Sequence, residues 1–196
     1  LEVGEVNSMI GSICLRAEMK YGIDKKNPFC KDPLNYVIKK DLTKIYDFEN
    51  IFVKSVKNVL STENIILRKQ GLLTNGIQTN GNFLDLEFEF ISQIKEIINK
   101  EIQNYKLFFK GSEESLIQKF PEKYNLNAWL ISMKNGGKLD PHIHENGWLS
   151  GSIYINVPPK LKADSGNLVV SLGNKLDVAE NKKIEKNINV VTGSIC

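Results

Sequence analysis

Two histidines occur in the chain, His142 and His144, and both fall in one stretch, GGKLDPHIHENGWLSGSIYINVP, residues 136–158. In extended chain, residues i and i+2 face the same side, about 6–7 Å apart at Cα. Two imidazoles at that spacing can converge on one ion, and imidazole suits Fe(II), Zn, Cu and Ni. Asp140 and Glu145 flank the pair with carboxylates. Two histidines and one carboxylate form the facial set that leaves Fe(II) open positions for chemistry. The usual local form is His-x-Asp, whereas the second place here is His144. Glu145 is adjacent to His144 and points to the opposite face of an extended strand. Asp140 has the right parity, but Pro141 bends the chain between them. The carboxylate ligand therefore stays open. So does the plainer reading, in which the pair is two surface histidines in a turn, or one core histidine with a satisfied hydrogen bond.

Several elements must position this pair. From Tyr124 onward the apolar period is two. In NAWLISMK, Trp129, Ile131 and Met133 share a face. In LSGSIYINV, Leu149, Gly151, Ile153, Ile155 and Val157 share one side and Ser150, Ser152, Tyr154 and Asn156 the other. NLVVSL and INVV are further short strands, with turns at Asn135-Gly136-Gly137, Pro158-Pro159 and Ser165-Gly166-Asn167. Short strands with no helix between them predict an antiparallel sandwich or barrel. Ahead of them, Ile66–Asp85 is strand-and-turn sequence in which Gln78, Thr79 and Asn82 either shape a site entrance or serve turn chemistry. Then Ile91, Ile94, Ile98, Ile102 and Tyr105 mark a long amphipathic helix beginning at Phe88, about 30 Å in length, suited to cover a sheet.

Residues 1–60 read as a helical region, of the kind that ends a repeat array, although no internal period proves one. Val6, Met9, Ile10, Ile13, Cys14 and Ala17 form one stripe, and Gly22 can end that helix. Pro28 and Pro33 place an ordered loop next. Asp47 is the expected N-cap of a second helix with Phe48, Ile51, Phe52, Val56 and Leu60 as its stripe. The division expected is thus a helical region over 1–60 and a β-rich domain over 61–196.

Composition narrows the class. With 196 residues, 41% hydrophobic and 25% charged, the chain can build a sizeable core. Its net charge of +3 comes from lysines spread along the sequence, and the two arginines, Arg16 and Arg68, make no basic stripe. No nucleic-acid partner is expected. Three cysteines without a CxxC pair do not make a disulfide framework, so a reducing cytoplasm is expected. No apolar run reaches membrane-spanning length and no signal peptide is read, so no membrane partner is expected.

The stretch WLISMKNGGKLDPHIHENGWLSGSIYINVP resembles the 2-oxoglutarate/Fe(II) oxygenase group often attached to tetratricopeptide repeats. The shared pattern is a Trp on a strand, a Gly-rich turn, His-x-His, Ser-Gly, an aromatic strand and Pro. RKQGLLTNGIQTNGNFLD with the following helix resembles that group's entry to the catalytic domain, and ADSGNLVV its later Gly-x-Leu strand. The resemblance covers roughly Ile66–Cys196, with Leu1–Leu60 resembling the helical region that precedes it. It implies an α+β chain whose β-domain is a double-stranded β-helix, or jelly roll, covered by the long helix. It implies Fe(II) and 2-oxoglutarate as cofactors, oxidation of 2-oxoglutarate to succinate and carbon dioxide, and hydroxylation of a small-molecule or protein substrate. By the same carry-over His142 is the first metal ligand, and His144, standing where the acidic ligand is usual, is a ligand or a near neighbour. Tyr154 and Ser152 are candidates to hydrogen-bond 2-oxoglutarate if their face lines the barrel; facing outward, they are ordinary sheet residues. The N-terminal helices are candidates for protein contacts.

The group also carries a distal histidine and, beyond it, a basic residue for the cosubstrate. No histidine or arginine follows His144 here; the simplest expectation is that both lie beyond Cys196 and that residues 1–196 alone are inactive, and the alternative is a degenerate protein that binds no iron. Two alternatives remain. GGKLDPHIH fits the opening of a cupin metal motif, but Trp148 and Leu149 stand where its glutamate belongs. The other alternative is a non-catalytic interaction module.

Overall fold

The computed structural model describes residues 6–23, 26–63, 65–173 and 184–196. Local sequence rules account for most of its helices. Helix α1 (Ser8–Tyr21) starts where the Asn7 carboxamide accepts a hydrogen bond from the Ile10 amide at 2.9 Å, and ends at Gly22, whose φ of 64° only glycine adopts cheaply. The Asp47 carboxylate accepts from the Asn50 amide, capping the second helical stretch as expected. That stretch opens with a π-helical segment, Glu49–Lys54, before α2 (Ser55–Ser61). The wider π turn keeps Phe48, Phe52 and Val56 in phase at spacing four. The return to α geometry then buries Val59 and leaves the expected Leu60 exposed.

Helix α3 (Glu89–Phe108) spans 20 residues and buries Ile91, Ile94, Ile97, Glu101 and Tyr105. It packs on Leu42, Phe48, Phe52, Val56 and Val59 from one side of the sequence and on Phe83, Leu84 and Leu130 from the other, forming the main core. A second apolar cluster joins Phe29 and Cys30 to Tyr105 and to Leu116 and Ile117 of the short α4 (Ser115–Gln118), with Trp148 packed against it.

The β-structure is antiparallel, as the period-two pattern predicts. Strands β2 (Leu67–Arg68), β3 (Leu73–Thr79) and β4 (Ile131–Leu139) form one sheet in that order. Strand β5 (Leu168–Ser171) pairs with β6 (Glu185–Ile188). Strand β1 (Lys40–Asp41) pairs with β7 (Ser194–Ile195), and Ile153 bridges to Ile195 on the other side. Mixed helix and small, open sheets make an α+β architecture; among the described residues the sheets do not close on one another.

Three strand expectations need correcting. The strand expected over INVV is met only at Ile188, where β6 ends. The turn expected at Asn135-Gly136-Gly137 lies inside β4: Met133 pairs with Gly76 and Lys138 with Thr74, so residues 134–137 bulge opposite the single residue Asn75. The long strand expected over Leu149–Val157 pairs only around Ile153, because residues 193–196 are the partner that reaches it. Its parity holds, since Ile153 and Ile155 pack on the main core. No helix among the described residues is long and apolar enough to cross a membrane.

Candidate metal centre

The His-x-His turn is fixed at both ends. The Asp140 amide donates to the Leu72 carbonyl at 2.8 Å, which extends the β3–β4 ladder to the threshold of the turn. On the far side, the Gly147 amide donates to the His144 carbonyl at 2.9 Å, and the Gly147 carbonyl accepts from the Ser8 hydroxyl, at the start of α1, at 2.7 Å. Trp148 then enters the second core: its indole N–H donates to the Leu116 carbonyl at 2.9 Å and its ring meets Phe29 edge-on.

Between these anchors both imidazoles are exposed, and their Nε2 atoms lie 3.1 Å apart. The proton arrangement follows from the partners. His142 Nδ1 sits 2.9 Å from the Asp140 carbonyl oxygen, which can only accept, so Nδ1 carries the proton. His142 Nε2 then holds a lone pair, and in the neutral pair His144 Nε2–H is its donor. A ring N–H fixed on a backbone carbonyl is how metal-ligating histidines are usually oriented. Partial loss of solvent around its ring, and then the nearby His142, lower the pKa of His144 and favour its neutral form, the form a ligand must take.

The spacing can be tested against an ion. Two nitrogens at about 2.0–2.1 Å from one metal, at coordination angles of roughly 90–109°, are about 2.9–3.4 Å apart. The observed 3.1 Å falls within that range. In spacing alone, the two Nε2 atoms match two adjacent positions of a metal. Among the described residues no group of three or more His, Cys, Asp or Glu side chains comes together. The Asp140 carboxylate is turned to Lys138 Nζ at 2.8 Å, and Glu145 is exposed.

The other residues singled out in the sequence divide clearly. The backbone of Ser152 and Tyr154 is held by β7: Ser152 N–H donates to the Cys196 carbonyl and Tyr154 N–H to the Ser194 carbonyl, at 2.9 and 2.8 Å. Ser152 is exposed and Tyr154 half-buried; among the described residues no hydrogen bond or ring contact joins either to the histidines. Burial and the neighbouring Cys196 push the Tyr154 phenol up to about 12, against a hydrogen bond from Ser152, so it remains a proton donor at neutral pH. Thr79 and Asn82 serve structure. Thr79 Oγ1 accepts from the Leu130 amide and Asn82 Oδ1 from the Ala128 amide. Gln78 is buried and Arg68 exposed. Trp148 packs against the second core, whereas Trp129 is 41% exposed, with its ring 5.7 Å from that of His144. That contact has no short-range sequence signal, because residues about 50 positions earlier set where Trp129 stands.

Residues 127–194, about a third of the chain, match the sequence model of a family described as "Putative 2OG-Fe(II) oxygenase". The matched segment holds β4, both histidines, Ser152, Tyr154, β5 and β6. It is the same family that the His-x-His stretch resembles. No curated protein and no solved structure matches the chain.

Proposed function

With residues 127–194 matching a 2OG-Fe(II) oxygenase family, we propose that the chain carries part of the catalytic domain of an Fe(II)/2-oxoglutarate-dependent oxygenase that hydroxylates a small molecule or protein side chain, with His142 and His144 as metal ligands. The observation that carries this is the 3.1 Å approach of the two Nε2 atoms in a turn tied down at both ends. Fe(II) and 2-oxoglutarate, when bound, would activate O2, the oxidant, one oxygen atom going into succinate as the cosubstrate loses carbon dioxide and the other into the hydroxylated substrate. The protein's own contribution is to orient donors and manage protons. His142 offers its Nε2 lone pair because the Asp140 carbonyl keeps the proton on Nδ1. To ligate through Nε2, neutral His144 carries its ring proton on Nδ1 instead, and its lowered pKa means that less of it has to lose an imidazolium proton first. Tyr154, protonated at neutral pH, and Ser152 are the donors assigned to the cosubstrate. In this reading the small sheets are portions of one jelly roll, the remaining ligand lies outside the described residues, and the protein works in the cytoplasm.

The test is anaerobic titration of the full-length protein with Fe(II), without and with 2-oxoglutarate, followed by calorimetry and by the visible metal-to-ligand charge-transfer band. His142→Ala is expected to weaken binding by more than about 100-fold, since even outer-shell partners are worth 10–100-fold. Absence of both heat and band in the wild type would sink the proposal and return the reading to a non-catalytic interaction module.

A further inference from the structure

We propose that Trp129 is a positioning residue for His144: its indole is the wall that aims the imidazole at His142. The inference rests on reading the pair as metal ligands, and adds a residue that the His-x-His pattern does not contain.

The backbone on either side of Trp129 is clamped. The Ala128 amide donates to Asn82 Oδ1 at 2.8 Å, and the Ala128 carbonyl accepts from the Phe83 amide at 2.8 Å. The Leu130 amide donates to Thr79 Oγ1 at 3.1 Å, and the Leu130 carbonyl accepts from the Thr79 amide at 3.0 Å. Thr79 itself is buried, so this clamp is rigid. Leu130 points into the main core, and alternation along extended chain sends its neighbour the other way. Trp129 therefore stands at a defined place outside the core. Part of its ring is covered by protein and part stays in water.

The aromatic ring that the indole meets is that of His144. The ring planes cross at 84° with centroids 5.7 Å apart, within the favoured edge-to-face range. Rotation about the bond to an imidazole is broad and nearly two-fold, so an exposed histidine in a turn needs outside restraint to hold one nitrogen on target. The main-chain bond from Gly147 fixes where His144 begins. Two rings meet that of His144: His142, with centroids 5.1 Å apart, and Trp129. Removing the wall leaves both ligands in the sequence but frees one to turn away.

Edge-to-face contacts contribute enough to change a binding constant by about 2- to 10-fold. Trp129→Ala is expected to weaken Fe(II) binding by that factor under anaerobic calorimetry of the full-length protein, with Trp129→Phe, which keeps an aromatic face, within about 2-fold of wild type. A second readout needs no metal: the His144 ring protons should carry an aromatic ring-current shift in the proton NMR spectrum of the metal-free protein, and Trp129→Ala should remove it. Absence of that shift in the wild type overturns the positioning role while leaving the metal reading intact. Wild-type affinity in Trp129→Ala also overturns it. If the wild type shows the shift but binds no Fe(II), the metal assignment has failed, and the positioning role falls with it.

Discussion

Two polar groupings in this molecule are opposites. Glu101 lies on the buried face of α3, its side chain 6% exposed, with Lys40 Nζ at 2.6 Å, the Tyr46 hydroxyl at 2.8 Å and the Asn104 amide at 3.2 Å. Every one of these donors turns inward on the same carboxylate, and the ion pair ties β1 to α3. His142 and His144 are exposed, yet their backbone is tied to β3 and α1, and a lone pair on His142 Nε2 is met only by its neighbour's N–H. A buried polar group must be satisfied to be tolerated at all. An exposed group has no such need, so an ordered arrangement there calls for a different explanation. The contrast separates polar residues that serve the fold from those that are free to bind something.

The largest effects should come from exchanging the two behaviours. Glu101→Leu leaves Lys40 and Tyr46 facing an apolar side chain and should lower unfolding stability by about 2–4 kcal/mol, less than a fully buried pair because Lys40 is partly in water. Its Fe(II) affinity should stay near wild type. His142→Ala should do the reverse, losing metal while shifting stability within about 0.5 kcal/mol. Denaturant melts and metal titrations of both variants decide this. Parallel losses in both proteins would erase the distinction.

Acid sharpens the same contrast. Burial raises the pKa of Glu101, but the hydrogen bonds from Lys40, Tyr46 and Asn104 and the charge of Lys40 bring it below the ordinary glutamate value. A carboxyl depressed in the folded state binds its proton more readily when unfolded. Its stabilising share is therefore complete above the unfolded pKa, about 4.3, and is lost as pH falls through the lower folded value. The stability gap between wild type and Glu101→Gln, measured by urea unfolding, should be constant near neutrality and shrink only below about pH 4. A gap that closes between pH 6 and 7 would mean that Glu101 is not the titrating group.

How much of this was legible in the sequence differs between the two groupings. Helix α3 was readable because its isoleucines repeat at helical spacing, but Ile98 and Ile102 stand at its flank while Ile97 and Glu101 take the buried line. A glutamate cannot be read as buried from periodicity, since its partners Lys40 and Tyr46 lie some 55–61 residues away. The histidine pair was readable because spacing of two is local. Its tautomer and the Trp129 wall were not, for they depend on the Asp140 carbonyl and on Thr79 and Asn82. The helical caps at Asn7, Gly22 and Asp47 were decided by local chemistry. The bulge in β4 was hidden by its own sequence, since Asn-Gly-Gly signals a turn just as well.

That bulge gives the next test. A Cβ on Gly137 would lie 2.7 Å from Met133 Cβ and 2.8 Å from the Lys134 carbonyl oxygen. Backbone on one side and a β-carbon on the other leave nothing flexible to move, so Gly137→Ala should cost about 1–3 kcal/mol. Because β4 leads to Asp140 and the turn, Fe(II) affinity should fall as well, unlike in Glu101→Leu. A variant that loses stability but keeps affinity would uncouple the bulge from the histidines.

The smallest effect belongs to the residue facing the bulge. Asn75 is the one non-glycine residue with positive φ among the described residues, at 48°. Asparagine tolerates this region better than most side chains, so Asn75→Gly exchanges a modest steric cost for the extra backbone entropy of glycine, each on the order of 1 kcal/mol. The two should nearly cancel, leaving stability and metal affinity within about 0.5 kcal/mol of wild type. Asn75→Val removes that tolerance without changing charge, and a β-branched residue at positive φ is a true outlier. It should lose about 1–2 kcal/mol, and with it some hold on the turn that Asp140 begins. Equal stability of the Gly and Val variants in urea unfolding would show that residue 75 does not keep its left-handed conformation, and that the bulge is held by Gly136 and Gly137 alone.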